Sequence, residues 1–406
     1  MIKANKFFGG VLLIAGTSIG AGMLAIPVST GFCGFFPSAF LLFVCWLFML
    51  TTAYLFLEVN LSMPGEVNLI SMSEKTLGIW GKIVSWIAYL LLLYSLTAAY
   101  LAGSAPLFLG AIKLIFGIDI PSWVGPLPLL LFFGVFVYLG TLSVDYLNRI
   151  LMAGLIISYI LLVFFVPQHV QLEFLEHIDW TPIFVGLPIV ITAFGFHIII
   201  PSLTTYMRHD VKILRYMILA GSVIPFIIYL LWQFLILGVV PVFGSASVVS
   251  AWKVGDFLAT GPLMQIIQKP IIKTAAHLFS FFAIITSFLG VSLSLSDFLT
   301  DGLKIGHTKK GRFISCILTF FPPLFFVYTY QKGFFLALNF AGVFVAILLG
   351  VLPAMMAWTL SKKGFLRTFW GRTLLLLVIL MSFFVILTNI FQQTGHFFKH
   401  IENYVK

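Results

Sequence analysis

The stretch Gly16-Thr17-Ser18-Ile19-Gly20-Ala21-Gly22, followed by Pro27, decides how the rest of the chain is read. It lies inside an apolar run that begins at Phe7 and is long enough to cross a bilayer. Three glycines in seven residues, with Thr and Ser between them, disfavour a continuous helix, because each Gly costs about 1 kcal/mol relative to Ala in a helix interior. Lipid-exposed backbone cannot stay unpaired, so an unwound segment at membrane depth must line a protein cavity. Such a break presents amide N–H groups and carbonyls at mid-membrane, which suit a carboxylate and a cation respectively. The alternative is that the small residues only let another helix pack closely.

The composition around this stretch leaves one class of protein. Of 406 residues, 61% are hydrophobic and 9% are charged, and the mean hydropathy is +1.12. That balance belongs to a polytopic membrane protein. The formal charge of +10 does not point to nucleic acid, because the basic residues sit in short clusters between apolar runs. Cys33, Cys45 and Cys316 are odd in number and fall in or beside apolar segments, so they read as packing residues. Lys3 and Lys6 before an apolar run imitate a signal peptide. Apolar segments nevertheless continue along the chain, and the run is expected to be a retained first helix.

Eleven spans are expected, near 7–30, 36–60, 82–112, 125–143, 149–167, 182–206, 216–240, 274–299, 313–330, 334–360 and 373–393. With the N-terminus cytoplasmic, sixteen of the 23 Lys and Arg residues fall inside and seven outside. That bias predicts N-in and C-out. The sixth span has its own interruption: Gly186-Leu187-Pro188, then Thr192-Ala193-Phe194-Gly195-Phe196-His197, then Pro201-Ser202. Two broken helices five spans apart occupy corresponding positions if spans 1–5 and 6–10 are two halves. Five is odd, so the halves run inverted, the pattern of a secondary transporter with its substrate at the midplane. The expected division is 1–167 and 168–360 for the two five-helix repeats, and 361–406 for an eleventh helix and tail.

Gly16 to Pro27 resembles the first-helix signature of the bacterial aromatic amino acid permeases. Thr192 to His197, Ile200-Pro201-Ser202-Leu203 and Tyr206-Met207 resemble that family's sixth helix, and Thr286-Ser287-Phe288-Leu289-Gly290-Val291 its eighth. The likeness runs from about residue 7 to about 390 and is strongest to tyrosine-specific members, then tryptophan-specific ones. It implies an all-α membrane fold of the leucine-transporter type, with five plus five inverted helices, an extra eleventh, and broken helices 1 and 6. It also implies import of tyrosine or a related aromatic amino acid across the bacterial inner membrane. No cofactor is expected.

A zwitterionic amino acid needs donors for its carboxylate. Amides freed between Thr17 and Gly22 serve, with Gly16, Gly20 and Gly22 keeping the approach open and the Thr17 or Ser18 hydroxyl adding a donor. Its ammonium needs acceptors, which carbonyls near Ala15, Gly16 and Thr192 to Phe194 supply. The hydroxyls of Thr17 and Ser18 can equally bond back to their own helix. In the implied fold Phe194 and Phe196 border the substrate side chain, where their rings can stack on it; Tyr94 and Tyr100 are candidates for hydroxyl contacts. His197, an imidazole inside an apolar span, reads as a substrate ligand or proton relay, or as a neutral residue bonded to a neighbouring helix.

Two coupling ions are weighed. For a proton, the titratable candidates are His197, Glu58 and Asp297, in that order. For sodium, the resemblance to sodium-coupled members of the wider fold points to the Thr286 and Ser287 hydroxyls with carbonyls near Ala15 and Ser18, oxygen ligands of the kind an alkali cation prefers. Lys3 or Lys6 paired with Asp297 or Asp301 would close the cytoplasmic side, or the two lysines only anchor the topology. An intramembrane enzyme is disfavoured by the lack of His-Glu-x-x-His and of paired intramembrane aspartates. A channel is disfavoured by the lack of polar stripes at helical spacing.

Overall fold

The computed structural model describes residues 2–63, 65, 67–306, 308–330, 332–360 and 365–393, with side chains omitted at 2–4, 365 and 393. Among the described residues every regular element is helical. Among these residues ten helices are long and apolar enough to cross a membrane, and one bent pair makes an eleventh span. The protein is a multi-pass all-α membrane protein, as its apolar runs require.

The first span is that bent pair, Ile2–Ser18 and Gly22–Thr30, with the two halves at 54° to each other. Phe35–Leu61 is the second span, Leu69–Phe116 the third, and Ser122–Leu139 and Thr141–Phe165 the fourth and fifth. The sixth span, Ile183–Tyr206, is interrupted between Ala193 and His197, and the seventh is Val211–Leu237. The last four are Pro270–Gly302, Lys309–Thr329, Gly333–Leu360 and Phe369–Gln393. The first and sixth spans are five apart and so cross in opposite directions, with their breaks facing each other in the bundle.

Local chemistry sets the ends. Asn68, Asp210 and Thr308 cap their helices by accepting from Ser71, Ile213 and Gly311 amides at 2.9, 3.2 and 3.1 Å. The third helix begins at Leu69 rather than near 82, because the polar turn Ser71 to Thr76 is helical too. Gly78, at φ +72°, redirects the chain between that turn and the span proper. The fifth span begins at Thr141 rather than near 149, since Gly140 alone, at φ +96°, makes the turn from the fourth.

Without water to drive helices together, their association rests on close packing. Gly342 of the tenth span shows how close: a Cβ there would lie 2.4 Å from the Cβ of Pro188 in the sixth. The sixth and tenth spans are the most enclosed, whereas the fourth, fifth and ninth lie at the periphery. The connection between the seventh and eighth spans folds into two short helices, Val248–Val254 and Thr260–Ile266, at the end of the bundle away from the N-terminus. It is tied to the first span by the Ala259 amide, which donates to Leu24 O at 2.9 Å. Trp252 and Phe257 pack with Phe32 and Phe335 near that end, ring centroids 4.5–5.4 Å apart. The proposed C-terminal tail, residues 394–406, and residues 361–364 lie outside the described residues.

Candidate functional site

The two helix breaks face one cavity of about 730 Å³. Every residue from Gly16 to Gly22 lines it, together with Thr192, Ala193 and Gly195 of the sixth span. The third, fifth and eighth spans add Tyr89, Tyr100, Asn148, Met152, Thr286 and Ser287 to the wall, and the tenth adds Leu338, Val345 and Leu349. The lining continues through Leu12, Ser202 and Ser294, so the cavity extends from mid-bundle toward the end that carries the N-terminus.

The breaks are held by specific bonds. The Tyr229 hydroxyl lies 2.6 Å from Ser18 O and 2.9 Å from Ala193 O, so one phenol of the seventh span joins both interruptions. The Ser287 hydroxyl accepts from the Ala21 amide at 3.0 Å and interacts with the Tyr100 phenol. The eighth span is therefore stitched to the first at the break. Gly20 sits against this stitch: a Cβ there would fall 2.6 Å from Ser287 Oγ.

The hydroxyls divide into spent and unspent. Thr17 Oγ1 donates to Leu13 O at 2.7 Å and Thr192 Oγ1 to Pro188 O at 2.8 Å, both back into their own helices. Thr286 Oγ1 does the same, to Phe282 O at 2.8 Å. Of the carbonyls, Ala15 O accepts from Ile19 N at 2.9 Å and keeps one lone pair, whereas Thr192 O accepts from Gly195 N at 3.1 Å and also from the Phe194 amide. By contrast, the Ser18 hydroxyl oxygen is buried without a hydrogen-bond partner, and so is Asn148 Oδ1. Both residues line the cavity. A buried polar group left unpaired is costly, so a ligand that satisfied both would be held by them. Gly16 to Gly20 also spells Gly-x-Ser-x-Gly, the outline of a hydrolase nucleophile motif. No His lines the cavity and Ser18 Oγ has no base beside it, so the spelling carries no triad.

Several residues singled out from sequence sit elsewhere. Phe194 is fully buried behind the break with its ring 5.2 Å from that of Tyr229. Phe196 packs on His197 at 5.1 Å. Neither lines the cavity, because the unwound turn aims both side chains into the core behind it. His197 is also fully buried, and its Nε2 lies 2.8 Å from Thr52 Oγ1 of the second span. The Thr52 hydroxyl donates to Met49 O at 3.0 Å, which assigns the ring proton to Nε2 and leaves Nδ1 without a partner. Tyr94 turns away to Leu318 O of the ninth span at 2.9 Å, and Tyr100, two helical turns further on, reaches the cavity instead. Glu58, Asp297 and Asp301 are exposed near the end of the bundle that carries the N-terminus. Lys6 lies over the Tyr206 ring, 4.9 Å from its centroid, rather than against Asp297 or Asp301. The side chain of Lys3 lies outside the described residues.

Sequence reasoning missed Tyr229 and Asn148. A Tyr in an apolar span and an Asn near a helix end carry no motif; only the neighbouring helices give them meaning.

Two helix breaks meeting at one mid-bundle cavity define a broken-helix transporter fold. The chain superposes on a manganese transporter of Eremococcus coleocola with a TM-score of 0.64 at 13% identity, covering 96% of this chain and 87% of that one. That likeness concerns the fold alone. In sequence, the chain is 34% identical to tyrosine-specific transport system 1 of Haemophilus influenzae, over 93% of this chain and 94% of that protein. It is 30% identical to the low affinity tryptophan permease of Escherichia coli, over 95% of each. Residues 3–389 match the tryptophan/tyrosine permease family, and the chain belongs to it. It is a permease and not an enzyme.

Proposed function

We propose that the protein imports aromatic amino acids, tyrosine first, by proton symport with alternating access. The observation that carries this reading is the pair of helix breaks lining one cavity, whose wall includes Ser18 and Asn148, each with a buried side-chain oxygen that has no hydrogen-bond partner. The unwound backbone near Gly20 suits the substrate carboxylate, and carbonyls near the first break, such as Ala15 O with one donor, suit its ammonium. Tyr89, Tyr100 and Met152 give the ring apolar and aromatic walls. Relatives named for tyrosine and tryptophan transport support the substrate class. The excess of Lys and Arg on the N-terminal side supports a cytoplasmic N-terminus and an external C-terminus, and the family likeness supports the bacterial inner membrane. With that orientation the cavity faces the cytoplasm, and Lys6 would meet Asp297 or Asp301 only when that side closes. Residues 1–167 and 168–360 would be the two inverted halves.

Asn148 lines the cavity and its amide is not satisfied within the protein, which makes it the candidate partner for a substrate phenol. In Asn148→Ala the KM for tyrosine should rise by roughly tenfold, the equivalent of about 1.4 kcal/mol, with phenylalanine little changed. Competition of labelled tyrosine uptake by the standard amino acids measures this. Equal loss for both substrates would move the phenol contact elsewhere. A tryptophan-preferring carrier is the other substrate reading, and the same competition series decides it.

Sodium coupling is the second reading for the ion, favoured by Thr286 and Ser287 beside the first-span break. The proton reading is supported by how those groups are already engaged. Thr286 donates into its own helix, Ser287 accepts from Ala21, and Ser18 O accepts from Tyr229. Among the described residues no carboxylate or imidazole lines the cavity, so the proposed proton carrier is sought behind the wall. His197 leads, ahead of Glu58 and Asp297, because its neighbours Ile198 and Ile199 line the cavity while its ring bridges to the second span. Uptake into proteoliposomes should follow an imposed pH gradient without sodium. His197→Gln should lose that accumulation yet keep substrate exchange. Accumulation driven by a sodium gradient at equal pH, and lost in Thr286→Ala, would overturn the proton assignment.

A further inference from the structure

A second cavity, of about 470 Å³, opens at the end of the bundle away from the N-terminus. Its walls carry Asp256, Lys332, Trp123, Tyr328, Tyr330 and Phe334. One negative side chain, one positive side chain and a set of aromatic rings line a single space. We propose that this cavity is an outer binding site for the zwitterion of an aromatic amino acid, with its ammonium on Asp256, its carboxylate on Lys332 and its ring among the aromatic walls. This rests on the aromatic amino acid reading of the central cavity.

Three observations carry the assignment. First, Asp256 and Lys332 line one cavity without pairing: among the described residues they form no ion pair with each other. The two charges lie further apart than a direct ion pair in one cavity, and a zwitterion carries a complement for each. Second, both charges are held in place. The Asp256 amide donates to Ala251 O at 2.9 Å, its carboxylate accepts from the Leu258 amide at 3.3 Å and packs against Gly261. The Lys332 stem lies beside Gly255, where a Cβ would be 3.8 Å from its Cγ. Its ammonium sits over the Trp252 ring, 5.7 Å from the centroid. The Tyr328 hydroxyl donates to Trp123 O at 3.0 Å and fixes the aromatic wall. Third, the outer cavity stacks on the central one. Tyr100 lines the central cavity and Gly103 the outer; Leu338 lines the central and Phe334 the outer. Each step is about one helical turn, roughly 5.4 Å along the axis. The outer cavity therefore stands on the path to the central one, with the ring cluster of Trp252, Phe257 and Phe335 beside it.

Its size lies within the range of about 300–1,000 Å³ typical of small-molecule sites. Burial raises the Asp256 carboxyl to about 6, opposed by its bond from the Leu258 amide, and burial also lowers Lys332. Desolvation is the first cause of both shifts; it is strong at the buried Asp256 carboxylate, which a bound ammonium would relieve, and slight at Lys332, whose side chain is largely exposed. At neutral pH Asp256 is still mostly ionised and able to hold an ammonium; below about pH 6 it protonates and the outer site weakens. The other charged or titratable groups near it are Lys332 here and Lys273 and His277 in the adjoining space.

The test is equilibrium binding of labelled tyrosine to the purified full-length protein in detergent. Wild type should bind close to two tyrosines per chain, because both cavities are open in this conformation. Asp256→Asn and Lys332→Glu should each leave one. Lys332 is exposed, so its variant serves if the buried Asp256 position does not tolerate change. Gly20→Leu should remove the central site and leave one tyrosine, whose binding Lys332→Glu then abolishes. A single tyrosine per wild-type chain, lost in Gly20→Leu and unaffected by Lys332→Glu, would overturn the outer site and leave the central reading standing. No tyrosine binding by any form would remove both.

Discussion

Gly20→Leu is expected to bring aromatic amino acid uptake to background while the protein still inserts in the membrane. A Cβ at this position already falls 2.6 Å from Ser287 Oγ, and Leu adds three further carbons. The Ser287 hydroxyl must then leave, and the Ala21 amide that it accepts at 3.0 Å loses its partner at mid-membrane. Overpacking and the stranded amide together should cost about 3 kcal/mol in the binding-competent geometry, roughly 100-fold in kcat/KM. Gly16→Ala is the matched control. A Cβ at Gly16 meets nothing within 4 Å, so that variant should transport nearly as wild type. Labelled tyrosine uptake normalised to membrane-inserted protein measures both. Near-normal transport by Gly20→Leu would place the binding site away from the first-span break.

Tyr229→Phe should give the other large loss. The phenol has one proton, shared between Ser18 O at 2.6 Å and Ala193 O at 2.9 Å. Removing it leaves two carbonyls facing each other across the breaks with no donor between them. Repulsion and lost pairing should cost about 2 kcal/mol, roughly 30-fold in kcat/KM. The Phe ring keeps its place against Phe194, so expression and thermal stability should move much less than transport. If stability fell in step with uptake, Tyr229 would be a packing residue and the link between the breaks would not matter to transport.

These two residues differ in how they could be found. Gly20 announces itself, because three glycines with Thr and Ser in an apolar run cannot make good helix, and the structure bends the first span by 54° at that point. Tyr229 lies in the apolar run of the seventh span, among residues such as Ile228 and Leu231 that carry no polar group. Its bonds are to backbone carbonyls 211 and 36 residues away in sequence, a distance that no local pattern reports.

The sequence by itself determined that the chain is a polytopic all-α membrane protein of eleven spans with interruptions in the first and sixth. These features follow from hydropathy over one helix length and from the local cost of Gly and Pro, both legible without neighbours. The resemblance in those same stretches pointed to the family. Which side chains face the cavity was decided only by tertiary structure. An unwound turn has no fixed period, so the 3.6-residue repeat that tells inside from outside fails where the site is built. That is why Phe194, Phe196 and His197 turned into the core while Thr192 and Gly195, beside them, line the space. It is also why Thr17 spends its hydroxyl on Leu13 O while Ser18, one residue on, has none to spend it on. The Asp256 and Lys332 pair has the same origin: 76 residues apart in sequence, they meet in one cavity because the folded loop after the seventh span lies beside the turn before the tenth.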